Sequence, residues 1–203
     1  MRSAALTLAL ALVLTALPAE AASVIRTYNY FPIGGSTLAE IETELSRRGP
    51  QLYGEGRRHP GATRMEFTSR VGYAQTEKGC RIAEARVTLK ARVILPRWRK
   101  RSSADVDTRL IWDTLASDIR RHEESHIVIA RNHAMMLEKA LMAIAPRPDC
   151  RQTQARAREV TAEILARHDE EQARFDRIES INFENRLMRL LRYRLERQGA
   201  GAG

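Results

Sequence analysis

Arg121-His122-Glu123-Glu124-Ser125-His126 sits inside a helical pattern that runs from Ser102 to about Ala145. On a helix, residues four apart share one face, so His122 and His126 present their imidazoles one turn apart. That is the H-E-x-x-H spacing with which a helix grips one zinc ion, and Glu123, to one side, is placed to take a proton from metal-bound water. The stripe expected to face the core is Ile111, Leu115, Ile119, His122, His126, Ile129, His133, Met136 and Ala140, at steps of three or four. It puts both histidines on the inward side, against the alternative of a charged surface helix. His133 lies about 10 Å further along the axis, too far to share their metal on an unbroken helix.

Pro146 and Pro148 turn the chain, and residues from about 151 to 179 form a second helix. Its stripe reads Ala157, Thr161, Ile164, His168, Glu171, Phe175 and Ile178. Two long helices with so short a connection predict an antiparallel hairpin. A turn centred near Arg147 sets His126 opposite His168 and His122 opposite Glu171. His168 and Glu171 are thus candidates for a third ligand.

Upstream of the hairpin the pattern changes to strands. Thr27–Phe31, Thr63–Tyr73 and Cys80–Leu95 are β-prone, the last with alternating character in its second half. Between the first two, Thr37 with Glu40 forms a capping box for a helix over Leu38–Arg48, which Gly49-Pro50 ends. His59, alone in the following loop, is expected to be simply exposed. The fold expected is α+β: a small N-terminal antiparallel sheet with one helix, then the long helical hairpin that carries the motif.

The first 21 residues read as a separate unit. Arg2 precedes an apolar run from Ala4 to Leu17, and Ala19-Glu20-Ala21 is a small-x-small cleavage pattern. This is the signature of a secretory signal peptide, so the chain is expected to be exported, either periplasmic or secreted. The metallopeptidase-like domain then spans 22–182, and 183–203 forms a basic amphipathic helix and flexible tail. Export also favours pairing of the only two cysteines, Cys80 and Cys150. Such a bridge closes a loop of about 70 residues and is worth roughly 4 kcal/mol in the chain-entropy picture.

The net charge is +9, mostly from arginine. Few aromatics and no recognition motif argue against nucleic acid as partner. In the tail, Arg186 to Arg197 alternates arginine with Leu187, Leu190, Leu191 and Leu195. Such a helix either packs its leucines on the domain or makes peripheral contact with an anionic membrane.

Several of these residues together resemble a bacterial family of predicted secreted zinc-dependent proteases, catalogued as domain of unknown function 922. They are Tyr30 with Gly35-Ser36-Thr37, Gly49-Pro50, Cys80, Leu95-Pro96-Arg97-Trp98, Trp112, His122 to His126, Cys150 and Phe175-Asp176. The resemblance covers about Tyr28 to Asn182 and implies an exported Zn²⁺-dependent peptidase acting on peptides or proteins of the cell envelope. It also implies a third ligand after the second helix, where the family pattern reads aromatic-Asp-x-x-Thr-x-His-Gly. Here that segment is Phe175 to Asn182, with Glu179 at the threonine position and Ile181 at the histidine position. Three readings follow. Glu179 replaces the histidine; His168 or Glu171 supplies the ligand from the facing helix; or the site is degenerate and the chain is a non-catalytic envelope binding or scaffold protein. Asp176 is expected to orient a ligating imidazole.

Overall fold

The computed structural model describes residues 22–51, 56 and 58–200. The expected signal peptide and its cleavage site, and the last three residues of the tail, lie outside the described residues. In chain order the elements are β1 (Ser23–Ile33), α1 (Leu38–Arg48), β2 (Ala62–Thr76), β3 (Gly79–Trp98), α2 (Val106–Met142), α3 (Cys150–Ile181) and α4 (Phe183–Ala200), with one 3₁₀ turn at Arg101–Ser103. Among the described residues no helix is long and apolar enough to cross a membrane.

The fold is α+β, with a mixed three-stranded sheet rather than the antiparallel one expected. The strand order is β1-β3-β2, and β1 runs parallel to β3 while β2 runs antiparallel to it. The cause is α1. It and the loop after it carry the chain from one edge of the sheet to the other, so β1 and β3 run in the same direction. β2 and β3 form a hairpin whose turn uses Gly79 at φ +105°. α1 itself follows its capping signals: Thr37 Oγ1 accepts from the Glu40 amide, and Glu40 reaches back to the Ser36 amide.

α2 and α3 lie together on one face of the sheet. β3 buries Val87, Leu89, Ala91, Val93 and Leu95 at alternate positions, and α2 lies along them. The most deeply buried line on α2 is Trp112, Ile119, Glu123, Ile127, Ala130, Ala134, Leu137 and Leu141. This is rotated from the expected stripe by roughly one residue, and Met136 is exposed. The physical reason is that α2 has two partners. One flank meets the sheet and the adjacent flank meets α3. His122 and His126 fall on the second flank and are half-buried.

Cys80 and Cys150 form a disulfide. Cys80 also pairs its backbone with Arg147, and Thr153 Oγ1 donates to the Cys80 carbonyl. The linker between α2 and α3 is therefore drawn to the start of β3 instead of turning tightly. The hairpin register moves by about one helical turn as a result. His126 faces Gln172 and His122 faces Asp176, while His168 packs against His133 at 5.5 Å between ring centres. The antiparallel hairpin expected from the sequence forms, but not in the register that a turn centred near Arg147 would give.

α4 meets α2 and the end of α3. Arg186 donates from Nε and Nη2 to Asp118, which is 3% exposed, and Leu187, Leu190 and Leu191 are half-buried. Leu195 stays in solvent. Trp98 and Trp112 pack 5.6 Å apart beside Ile33, Ile41 and Leu45, and Trp98 Nε1 donates to the Gly35 carbonyl. Those motif tryptophans lock α1 and the β1 end onto the start of α2.

Candidate metal centre

Three ligand atoms converge where α2 and α3 face each other. His122 Nε2 and His126 Nε2 are 3.1 Å apart, and Asp176 Oδ1 lies 3.3 Å from the first and 3.1 Å from the second. Among the described residues this is the one group of three with metal-binding geometry. Tetrahedral zinc with bonds of about 2.0–2.1 Å separates its ligand atoms by roughly 3.3–3.4 Å. The observed triangle fits that spacing with movements of a few tenths of an ångström.

The outer atoms of the imidazoles support this. His126 Nδ1 meets Gln172 Oε1 at 2.5 Å, and a carbonyl oxygen can only accept, so Nδ1 carries the proton and Nε2 keeps its lone pair. Gln172 is fixed in turn by donating to the His126 carbonyl and by His168 Nε2. His122 Nδ1 faces Glu179 Oε2 at 3.5 Å. Phe175 stacks on His122 and meets His126 edge-on, both at 5.1 Å, so the two rings are held on their faces as well as at their rims. Ring orientation set by such partners is what tunes a metal ligand.

The charges are arranged to match. Burial opposes ionisation of Asp176, yet its contacts with His122 and His126 hold it well below the usual carboxylate range. Burial likewise disfavours charge on His126, but Asp176 and Gln172 outweigh it and its pKa is raised. Two imidazole nitrogens and a carboxylate oxygen at this separation call for a proton or a cation among them.

Glu123 is 5% exposed and lies on the sheet-facing side of α2. Thr63 Oγ1 donates to its Oε2 at 2.9 Å and contacts its backbone carbonyl at 3.0 Å. Burial pushes the Glu123 carboxyl up, against the smaller lowering effect of Thr63 and the two histidines. That is the direction a general base needs to approach neutrality. Gly61 touches the same side chain: a Cβ there would stand 2.8 Å from Glu123 Oε1.

Glu179, His168 and Glu171, the residues considered for the third ligand, stand outside the triangle. Glu179 binds Arg121 and also Arg186 Nη2 at 3.3 Å. It therefore links His122 to the Asp118–Arg121–Arg186 network. His168 Nε2 accepts from Gln172 Nε2, and the ring packs on Phe67 and His133. Glu171 approaches His133, not the motif pair. Ile181, at the position of the family's histidine, is 81% exposed. The group that stands beside the two histidines is Asp176.

A family model described as bacterial protein of unknown function (DUF922) matches residues 28–183. The chain belongs to this family. No curated protein and no solved structure shows significant similarity to it. In this DUF922 member the motif helix, the facing helix, the disulfide and the strand carrying Thr63 all fall within the matched span.

A cleft of about 570 Å³ opens over the centre. Its walls come from the His59–Met65 segment, the Asp118–His126 turn pair of α2, the Gln172–Ser180 side of α3, and Phe183 and Arg186 of α4. Volumes of this order suit a small ligand or a few residues of peptide. Gln172, Thr63 and Gly61 are site residues that the sequence reading did not single out. For Gln172 a signal existed: His168, Gln172, Asp176 and Glu179 recur at helical spacing on one face of α3. For Thr63 and Gly61 there was none, because only the sheet brings them to the motif helix.

Proposed function

We propose that this protein is an exported zinc-dependent peptidase whose metal is held by His122, His126 and Asp176. The observation that carries the reading is the 3.1–3.3 Å convergence of those three ligand atoms, with the buried Glu123 in the same cleft. Zinc held there would supply Lewis acidity, making water nucleophilic near neutral pH and polarising a carbonyl. Thr63 occupies Glu123 Oε2, which leaves Oε1 to take the proton from the attacking water and return it to the leaving amine. Gln172 keeps the His126 proton on Nδ1, and Phe175 keeps both rings from rotating. The substrate class is a peptide or protein of the cell envelope, from the leader-like first 21 residues.

Elemental analysis of the oxidised chain from Ala22 onward tests the metal. We expect one zinc per chain, lost in His122→Ala and in Asp176→Ala. Glu179→Ala and His168→Ala should keep it, the first with affinity reduced by about 10–100-fold because it supports His122 from outside. Glu123→Gln should keep zinc and lose peptide hydrolysis by about 10²–10⁴-fold. A zinc-free wild type after reconstitution, or full activity in Glu123→Gln, refutes the proposal.

A further inference from the structure

The side of the sheet that faces away from α2 and α3 carries a strip of charge that the metal centre does not use. Outward positions of β2 and β3 pair in rungs: Arg64 with Arg92, Glu66 with Lys90, Thr68 with Thr88, and Arg70 with Arg86. The next rung sets Gly72 opposite Glu84, just before a bulge. Arg64, Arg70, Arg86, Lys90 and Arg92 are all exposed. The strip thus holds five cations against Glu66 and Glu84. Two of its rungs set arginine directly opposite arginine, which destabilises an antiparallel pair. Arg86 has Glu84 beside it at 3.3 Å. Among the described residues, Arg70, Lys90 and Arg92 form no ion pair. Rungs follow each other at about 7 Å, so the two arginine rungs stand about 20 Å apart.

We propose that this strip binds a linear acidic polysaccharide. Guanidinium forks match carboxylate and sulfate groups through paired hydrogen bonds, and repeated arginine rungs match a repeated anion. The Thr68 and Thr88 hydroxyls between them suit sugar hydroxyls. The shape selects among polyanions. The charge is confined to two strands; the neighbouring outward positions on β1 are Ile25, Thr27 and Asn29. A lipid surface would favour a broad face with aromatic or apolar anchors, and single-stranded nucleic acid would favour aromatic stacking platforms. No rung of the strip carries an aromatic residue. Thr63 and Met65 point the other way, into the cleft, so the strip lies on the opposite face of the strand that walls the candidate active site. A polymer held there would keep the protein in its envelope matrix without blocking the cleft. The inference stands apart from the metal reading.

Calorimetric titration with a size-defined heparin octasaccharide, at low and at physiological salt, tests it on the chain from Ala22 onward. The test variant is Arg70→Gln/Arg92→Gln. The control is Arg189→Gln/Arg192→Gln on the exposed side of α4, which removes the same charge. Binding should weaken by about tenfold or more in the strip variant, with a shallower salt dependence, and by no more than about twofold in the control. The strip variant should melt no lower than wild type, because it relieves like-charge rungs; that separates lost binding from lost folding. Equal weakening in both variants would reduce the effect to net charge and overturn the proposal. So would the absence of binding by wild type at low salt, or tighter strip-dependent binding to phosphatidylglycerol vesicles or to oligothymidylate than to the octasaccharide.

Discussion

Gly61→Ala is the most discriminating single substitution in this molecule. The backbone at Gly61 does not require glycine, since among the described residues only Gly35 and Gly79 are glycines at positive φ. An alanine at an unstrained, open position stabilises by about 0.4–1 kcal/mol through the unfolded chain. At Gly61 the added methyl would instead stand 2.8 Å from Glu123 Oε1, 2.8 Å from Ile119 Cγ2 and 3.1 Å from Glu123 Cγ. Over-packing of that kind costs about 1–3 kcal/mol, so the net expectation is a loss of roughly 1–2 kcal/mol. For a domain of this size that lowers Tm by about 2–8 °C. Gly72→Ala is the control, because its methyl would meet Glu84 Cβ at an ordinary 3.5 Å. Two of the three contacts are with Glu123, so the penalty should shrink by at least about 0.5 kcal/mol in a Glu123→Ala background. Thermal unfolding of the four proteins of the cycle, followed by circular dichroism, measures both quantities. On the proposed zinc-peptidase reading, Gly61→Ala should keep zinc and lose hydrolysis, since it displaces Glu123 and not His122, His126 or Asp176. A Tm at or above wild type, or strict additivity with Glu123→Ala, would refute the close approach of Gly61 to Glu123 on which the prediction rests.

Other consequences are equally direct. Removing the disulfide with Cys80→Ala/Cys150→Ala frees a loop of 70 residues, which is worth about 4 kcal/mol in the unfolded chain. The variant should melt about 8–16 °C lower than the oxidised wild type. In metal-free protein the Asp176–His126 pair should be visible in the pH dependence of stability. His126 is raised, so its contribution is complete below the ordinary histidine value of about 6.5 and is lost as pH rises through the raised value. Asp176 is lowered, so its contribution is present above about 3.9 and is lost at lower pH. The urea stability difference between wild type and Asp176→Asn should therefore be largest near pH 5–6 and shrink toward pH 8–9. A difference that grows with pH would contradict the pairing.

The sequence by itself determined the pieces whose causes are local. α1 begins at Thr37 and ends at Gly49-Pro50 because a capping box and a helix-stopping pair lie in consecutive residues. The one-turn spacing of His122 and His126 belongs to any helix through that stretch, and the pairing of Cys80 with Cys150 needed no geometry, there being no third cysteine. Tertiary structure decided everything that depends on how elements meet. The direction of β1 turned on which edge of the sheet the chain reaches after α1, and no residue of β1 encodes that. The face of α2 that is buried deepest depended on its having both the sheet and α3 as partners. Most consequentially, the disulfide and the Cys80–Arg147 bridge draw the linker past the end of α2 and slide α3 by about one turn. That slide brings Asp176 to the two histidines and carries His168 to His133. A ligand set drawn from two helices is a statement about their register. Register is fixed by contacts between residues far apart in the chain, here a bridge to a strand seventy residues upstream of α3.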